Sequence, residues 1–253
     1  MIIGTSGRYE FKNKGINVYL EALNRLTRDK NLKKDVLAFI NVPGWVGEVR
    51  EDLRERLDSG KDYDTPLECP FITHWLHNMS HDQVLDMLKY LNMSNSVDTK
   101  VKVVFVPCYL DGKDGILNEL YYDLLIGTDL SVYPSYYEPW GYTPLESIAF
   151  KVPTITTDLA GFGLWVNSLT GKNATLQDGV KVIHRTDYNY SEVADTIKDT
   201  ISEFSSLTST EINKIRKNAA NIAEKALWKH FIQYYYEAYD IALRNAAKRL
   251  SLN

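Results

Sequence analysis

Cysteine is scarce in this chain: Cys69 and Cys108 are the two among 253 residues. Thiols so few and so far apart in sequence make neither a disulfide framework nor a paired-cysteine metal knuckle, which fits a reducing compartment. Long apolar runs are missing too, since none approaches the roughly 20 residues that a membrane-spanning helix needs. The opening Met1-Ile-Ile-Gly-Thr-Ser-Gly-Arg8 reaches two glycines and a charge too early for a secretory apolar segment. A cytoplasmic chain without membrane association is therefore expected, and the Asn-x-Ser/Thr matches at Asn78, Asn92, Asn173 and Asn189 carry no weight. A strong charge of one sign is also lacking. The net charge is −4, and residues 212–253 hold eight Lys/Arg against three Asp/Glu, interspersed in a helical pattern. That balance reads as a solvated helix face and not as a nucleic-acid surface. No Walker loop, Gly-x-Ser-x-Gly elbow or HExxH helix occurs, and Gly161-Phe-Gly163 has no third glycine at dinucleotide spacing. Nicotinamide and flavin dehydrogenases are disfavoured accordingly.

What is present is an ordinary globular composition, 44% hydrophobic and 25% charged. It is read here as a single domain over residues 1–253. A short strand ending at Ser6, an amphipathic helix over 16–28 and a buried strand over 36–40 make one β-α-β unit. Residues 42–100 read as a helical insertion, with polar helices near 45–58 and 80–92 around an Asp, Pro and Gly-rich stretch. The β-branched run Val101–Val106, a helix near 117–127 and a strand over 129–133 make a second unit. A helix over 141–150, strands over 153–157 and 180–183, and helices near 190–204, 208–226 and 228–249 complete the chain. Strands alternating with helices imply a doubly wound parallel sheet, because each parallel connection needs a crossover. Ligands in such sheets bind beyond the carboxyl ends of the strands, here the loops after Ser6, Val106, Tyr133 and Thr157.

Each of those loops has unusual chemistry. After Tyr133 comes Pro134-Ser-Tyr-Tyr-Glu138-Pro-Trp-Gly141-Tyr142-Thr143-Pro-Leu-Glu146. Thr143, Pro144 and Glu146 have the spacing of an N-cap, a first-turn proline and a capping box, so a helix is expected to begin here. Its free N–H groups, behind a glycine that admits close approach, can hold a diphosphate, although Thr143 and Glu146 can equally be a cap and nothing more. After Ser6 the loop carries Arg8, Lys12 and Lys14, cations unfavourable at a helix start unless an anion sits between them and the helix. Tyr109 and Tyr121 can hold a planar base or serve simply as packing. His74, His77 and His81 would share one helix face, but turn signals interrupt it and no Cys or carboxylate completes a tetrahedral set, so no metal is expected. Trp228, Phe231, Ile232, Tyr235, Tyr239 and Ala242 form one stripe on the last helix. Most of that stripe is expected in the core.

Taken together, Gly7-Arg-Tyr-Glu-Phe-Lys-Asn-Lys-Gly15, Tyr136-Tyr-Glu-Pro-Trp-Gly-Tyr-Thr-Pro-Leu-Glu146 and Ile155-Thr-Thr-Asp-Leu-Ala-Gly-Phe-Gly163 closely resemble the carboxyl-terminal half of the fungal and animal type of glycogen synthase. The resemblance runs through Thr73-His74 and Pro107-Cys-Tyr-Leu110 to Trp228-Lys229. It implies the Rossmann-like nucleotide-sugar half of a two-domain GT-B glycosyltransferase, without the amino-terminal domain that carries most of the acceptor surface. The reaction implied is retaining transfer of glucose from UDP-glucose to the 4-hydroxyl end of an α-1,4-glucan, with no metal or other cofactor. A related enzyme using ADP-glucose or another sugar nucleotide, or a non-catalytic nucleotide-sugar-binding module, is the alternative. By position, the resemblance assigns Arg8 and Lys14 to the donor diphosphate, and Tyr109 and Tyr121 to the two faces of the uracil. It assigns Glu138 to sugar hydroxyls near the reacting carbon, Glu146 to the ribose, and Gly141, Tyr142 and Thr143 to further diphosphate contacts. In this architecture the last helix crosses toward the other domain, so part of its stripe is expected to be exposed or covered by a neighbouring copy.

Overall fold

The computed structural model describes residues 1–250. In chain order the elements are β1 (Ile2–Ser6), α1 (Ile16–Leu26), β2 (Val36–Asn41), β3 (Val46–Val49), α2 (Glu51–Ser59), β4 (His74–Leu76) and α3 (Gln83–Tyr90). They continue with β5 (Val101–Val106), α4 (Tyr121–Ile126), β6 (Leu130–Val132), α5 (Tyr142–Ala149), β7 (Thr154–Thr157) and α6 (Gly161–Thr170). The chain closes with β8 (Val180–Ile183), α7 (Tyr190–Ser206), α8 (Ser209–Lys225) and α9 (Trp228–Leu250).

Six strands form a parallel sheet in the order β5-β2-β1-β6-β7-β8. Successive strands run outward from β1 in one direction and from β6 in the other, so the order reverses between them. At such a switch the loops on either side part and leave a crevice beyond the carboxyl ends of the strands. Strand residues alternate into two cores. Ile3, Ala38, Ile40 and Val103 pack against Tyr19, Leu20 and Leu23 of α1 and Ile197 and Ile201 of α7. On the far side Val180 and Val182 pack against Ile148 of α5, Phe162 and Val166 of α6, and Ala219 of α8. The doubly wound parallel architecture expected from the alternation is present.

Two readings of the sequence are corrected, and one element is added. The helix expected over 45–58 begins only at Glu51; Val46–Val49 is a strand paired antiparallel with β4. A Cβ on Gly47 would lie 3.1 Å from the Trp75 carbonyl oxygen, so the glycine permits the backbone contact that makes this small sheet. Buried Arg50 closes it, donating to the Asp52 carboxylate and to the carbonyls of Glu68 and Cys69. Helix α6 fills a segment for which the sequence predicts no element. Its Gly163 is a packing requirement, since a Cβ there would stand 2.1 Å from the Thr157 carbonyl oxygen. The stripe on α9 is not core. None of its residues is buried; Phe231 and Ile232 are half-buried, the Phe231 ring 5.5 Å from those of Trp140 and Trp165, while Trp228, Tyr235 and Tyr239 stand exposed.

Candidate active site

A cleft of about 510 Å³ opens beyond the carboxyl ends of β1, β2 and β5. Arg8, Tyr109, Tyr121 and Thr143 line it together, although they come from two separate loops and the starts of two helices, α4 and α5. Tyr109 is 79% exposed, leaving most of its ring open to the solvent. Tyr121 is held rigidly: its hydroxyl lies 2.7 Å from that of Ser6, and burial, reinforced by Tyr133, pushes its pKa upward. One ring is thus a fixed wall of the cleft and the other an exposed one, an arrangement suited to a planar base. Arg8 has a side chain 78% exposed and pairs with Glu10 at 3.1 Å, a contact of little energy in solvent that a stronger anion can replace.

Lys14 and Glu138 do not line the cleft but stand at its border. The Lys14 ammonium donates to the Glu138 carboxylate at 2.5 Å, both side chains being largely shielded from solvent. The Lys14 stem passes Gly7, a lining residue, and Glu138 Cγ lies 3.6 Å from the position of a Cβ on Gly141. The loop holding Glu138 is anchored to α6: Glu138 N–H donates to the Leu159 carbonyl at 3.3 Å, and Gly161 N–H to the Glu138 carbonyl at 3.1 Å.

The capping box is corrected. Gly141, at φ 106°, is the N-cap of α5, Tyr142 is its first residue, and Thr143 therefore lies one position inside the helix with no side-chain cap. Only glycine adopts such a backbone at low cost, so the turn forms at Gly141 and not at the threonine. Glu146, freed from capping, accepts from the Tyr122 hydroxyl at 3.0 Å, which raises the pKa of that phenol. The first turn of α5 therefore presents uncapped N–H groups beside the cleft, a site favourable to phosphate oxygens. Tyr142 is exposed at this turn but does not line the cleft.

Residues that sequence reasoning passed over also face the cleft. Asn41 lines it, and its side-chain oxygen is buried without a hydrogen-bond partner. Ser6 and Asp111 line it as well. An asparagine closing the apolar run Leu37-Ala-Phe-Ile-Asn41 was the available signal.

The three histidines do not share a helix face, because β4 and a short turn of 3₁₀ helix (Met79–His81) occupy that segment. His74 instead approaches Cys108 and Asp114, with one potential ligand atom from each lying within 4.8 Å of the others. Those donors are already engaged. The His74 Nε2 lies 2.7 Å from the Asp114 carbonyl, Nδ1 lies 2.9 Å from the Thr73 hydroxyl, and the Asp114 carboxylate accepts from three backbone N–H groups. Burial and the neighbouring Asp114 and Asp111 push the Cys108 thiol up to about 12, away from the thiolate that binds metal.

Comparison with known proteins places this geometry in a family. The family model described as glycogen synthase matches residues 53–250. Glycogen [starch] synthase isoform 1 of Saccharomyces cerevisiae is 26% identical over 95% of this chain and 42% of its own length. The Neurospora crassa glycogen [starch] synthase is 27% identical over 96% of this chain and 42% of its own, and the human liver form 24% over 95% and 41%. The chain thus spans less than half the length of these curated relatives. Among solved structures, Anabaena HepE in complex with UDP and glucose superposes with a TM-score of 0.48 at 14% identity, over 88% of this chain and 43% of that one. With a family match over most of its length, the chain belongs to the glycogen synthase family.

Proposed function

We propose that this chain is the donor-binding part of a retaining glucosyltransferase that moves glucose from UDP-glucose to the 4-hydroxyl end of an α-1,4-glucan. The observation that carries the reading is the convergence of Arg8, Tyr109, Tyr121 and Thr143 on one cleft, beside the Lys14–Glu138 pair and the open start of α5. In this reading Tyr109 and Tyr121 take the uracil between them, and Glu146 takes the ribose. Arg8, Lys14 and the N–H groups around Gly141, Tyr142 and Thr143 take the diphosphate. As the glycosidic bond to the diphosphate breaks, negative charge grows on the leaving oxygen, and preorganised cations and helix N–H groups stabilise it most where water is excluded. No metal is called for. Glu138 holds sugar hydroxyls near the reacting carbon instead of attacking it, in keeping with displacement on one face through an oxocarbenium-like ion pair.

Turnover in this reading requires a second, acceptor-bearing domain of the GT-B kind, and the chain alone binds donor without efficient transfer. The exposed aromatic stripe of α9 is the surface such a domain, or a neighbouring copy, covers. A cytoplasmic setting fits the substrate and the two free thiols; among the described residues no helix is long and apolar enough to cross a membrane.

Calorimetric titration of the purified chain with UDP, UDP-glucose and ADP-glucose in the presence of a chelator tests the reading. Metal-free binding that favours the uridine ligands and is largely lost in Arg8→Ala is expected. Preference for ADP-glucose would shift the donor assignment, since two tyrosine rings stack on adenine as readily as on uracil. Affinity unchanged in Arg8→Ala would remove that residue from the diphosphate.

A further inference from the structure

A second cleft, of about 320 Å³, shares the β1–α1 loop with the donor cleft but none of its lining residues. Lys12, Asn13, Asn17, Tyr136, Arg185 and Tyr190 line it, with Asp187 as its acidic member. Arg185, just after β8, is only 5% exposed. One of its guanidinium nitrogens donates to the Pro134 carbonyl, and the Tyr136 ring centre stands 5.4 Å from its central carbon. No carboxylate forms an ion pair with it among the described residues. The neighbouring Asp158 is used instead by the Arg185 backbone N–H and the His184 ring.

A guanidinium carries five N–H donors, and a buried charge without a counter-charge is costly. Burial accordingly lowers the pKa of Arg185. Gly15 keeps the group in place: a Cβ there would lie 2.9 Å from the Arg185 nitrogen that meets Pro134. Two further features add positive potential. Asn17 is the second residue of α1 and Tyr190 the first of α7, so two helices of 11 and 17 residues open their N-termini toward the same space. The Asn17 side-chain amide also has its buried oxygen without a hydrogen-bond partner, and rotation of that amide presents an N–H₂ donor in its place. A neutral polyol would leave the buried charge uncompensated, whereas a dianion matches Lys12 and Arg185 together.

We infer that this cleft binds a phosphate group, free or carried on a small ester, separately from any nucleotide in the donor cleft. The inference stands independently of the donor reading, and UDP is titrated in parallel so that the two can fail separately.

The test is calorimetric titration of inorganic phosphate into the chain loaded with one equivalent of UDP, at constant ionic strength, repeated with glycerol phosphate. Saturable binding is expected, weakened about 5-fold or more in both Arg185→Gln and Lys12→Ala, since each removes one charge-assisted contact. UDP affinity is expected to stay within about twofold in the same variants, as neither residue lines the donor cleft. Tighter binding of glycerol phosphate would identify an ester as the ligand class, and tighter binding of inorganic phosphate the free ion. Lys12 is exposed, so its variant reads the site even if Arg185→Gln does not fold. Absence of phosphate binding, or binding unchanged in the folded variants, overturns the inference. Loss of UDP binding alone counts against the donor cleft, and the dependence on Lys12 and Arg185 is then read without nucleotide.

Discussion

Lys14 donates to Glu138 at 2.5 Å across 124 positions of sequence, joining the loop before α1 to the loop before α5. The pair is mostly shielded from solvent, so each side chain fixes the orientation of the other. In the proposed reaction Lys14 is needed by the diphosphate and Glu138 by the sugar, and the ion pair keeps both at the junction between them. Substrate then replaces one contact with two.

This relationship gives opposite outcomes for its two members. Lys14→Ala is expected to weaken UDP binding about 10-fold or more, the size of one charge-assisted hydrogen bond. Glu138→Gln leaves Lys14 unopposed, so UDP is expected to bind as well as before or better, while the advantage of UDP-glucose over UDP shrinks. Calorimetry on the two variants checks both; a fall in UDP affinity with Glu138→Gln would contradict the assignment of that carboxylate to the sugar.

The two tyrosines should also separate. Tyr109 is exposed and makes its energy only with ligand, so Tyr109→Ala is expected to lower uridine-nucleotide affinity about 10-fold without moving the melting temperature. Tyr121→Phe removes the hydroxyl contact with Ser6 and is expected to cost about 1 kcal/mol of stability while leaving affinity within about threefold. Thermal melts beside binding curves distinguish the two.

Thiol reactivity should differ between the cysteines. Cys69 is exposed, whereas the Cys108 thiol is buried and its pKa is pushed up to about 12. A raised thiol pKa lowers the thiolate fraction at any given pH, here to about one in 10⁴ at pH 8 against roughly a quarter for an ordinary cysteine. Titration with a disulfide reagent at pH 8 is expected to show one fast equivalent, the second appearing only on denaturation. Two fast equivalents would mean that the Cys108 loop opens readily.

Gly161 ties stability to the site. A Cβ there would lie 2.3 Å from the Pro139 carbonyl oxygen, next to the residue whose carboxylate meets Lys14. Gly161→Ala is expected to cost about 1–3 kcal/mol through overpacking and to weaken UDP-glucose binding by moving Glu138. Gly60→Ala is the control: its surroundings are open and its φ is 60°, so it is expected to lose about 1–2 kcal/mol with donor affinity unchanged. Chemical unfolding and titration of both variants check the pair.

Much of the fold is legible along the chain because burial is periodic and local. Ile16, Leu20 and Leu23 announce α1, and Val101–Val106 announces a central strand, since each repeats at the spacing of its own backbone. The residue types around the donor cleft are legible too, as cations, tyrosines and a glycine-led helix start beyond the carboxyl ends of strands. Tertiary structure alone decided the remainder, because it depends on contacts between distant segments. Gly163 helps build a helix only because the Thr157 carbonyl lies where its side chain would be, and Val46 is a strand residue only because Leu76 pairs with it. Thr143 lost the cap to Gly141 through a backbone angle that residue spacing does not encode. The same holds for charge: Lys14 found its carboxylate 124 positions away, and Arg185 was buried without one. Sequence determines which groups a chain can offer, and packing determines which of them are neutralised and which are left facing a cleft.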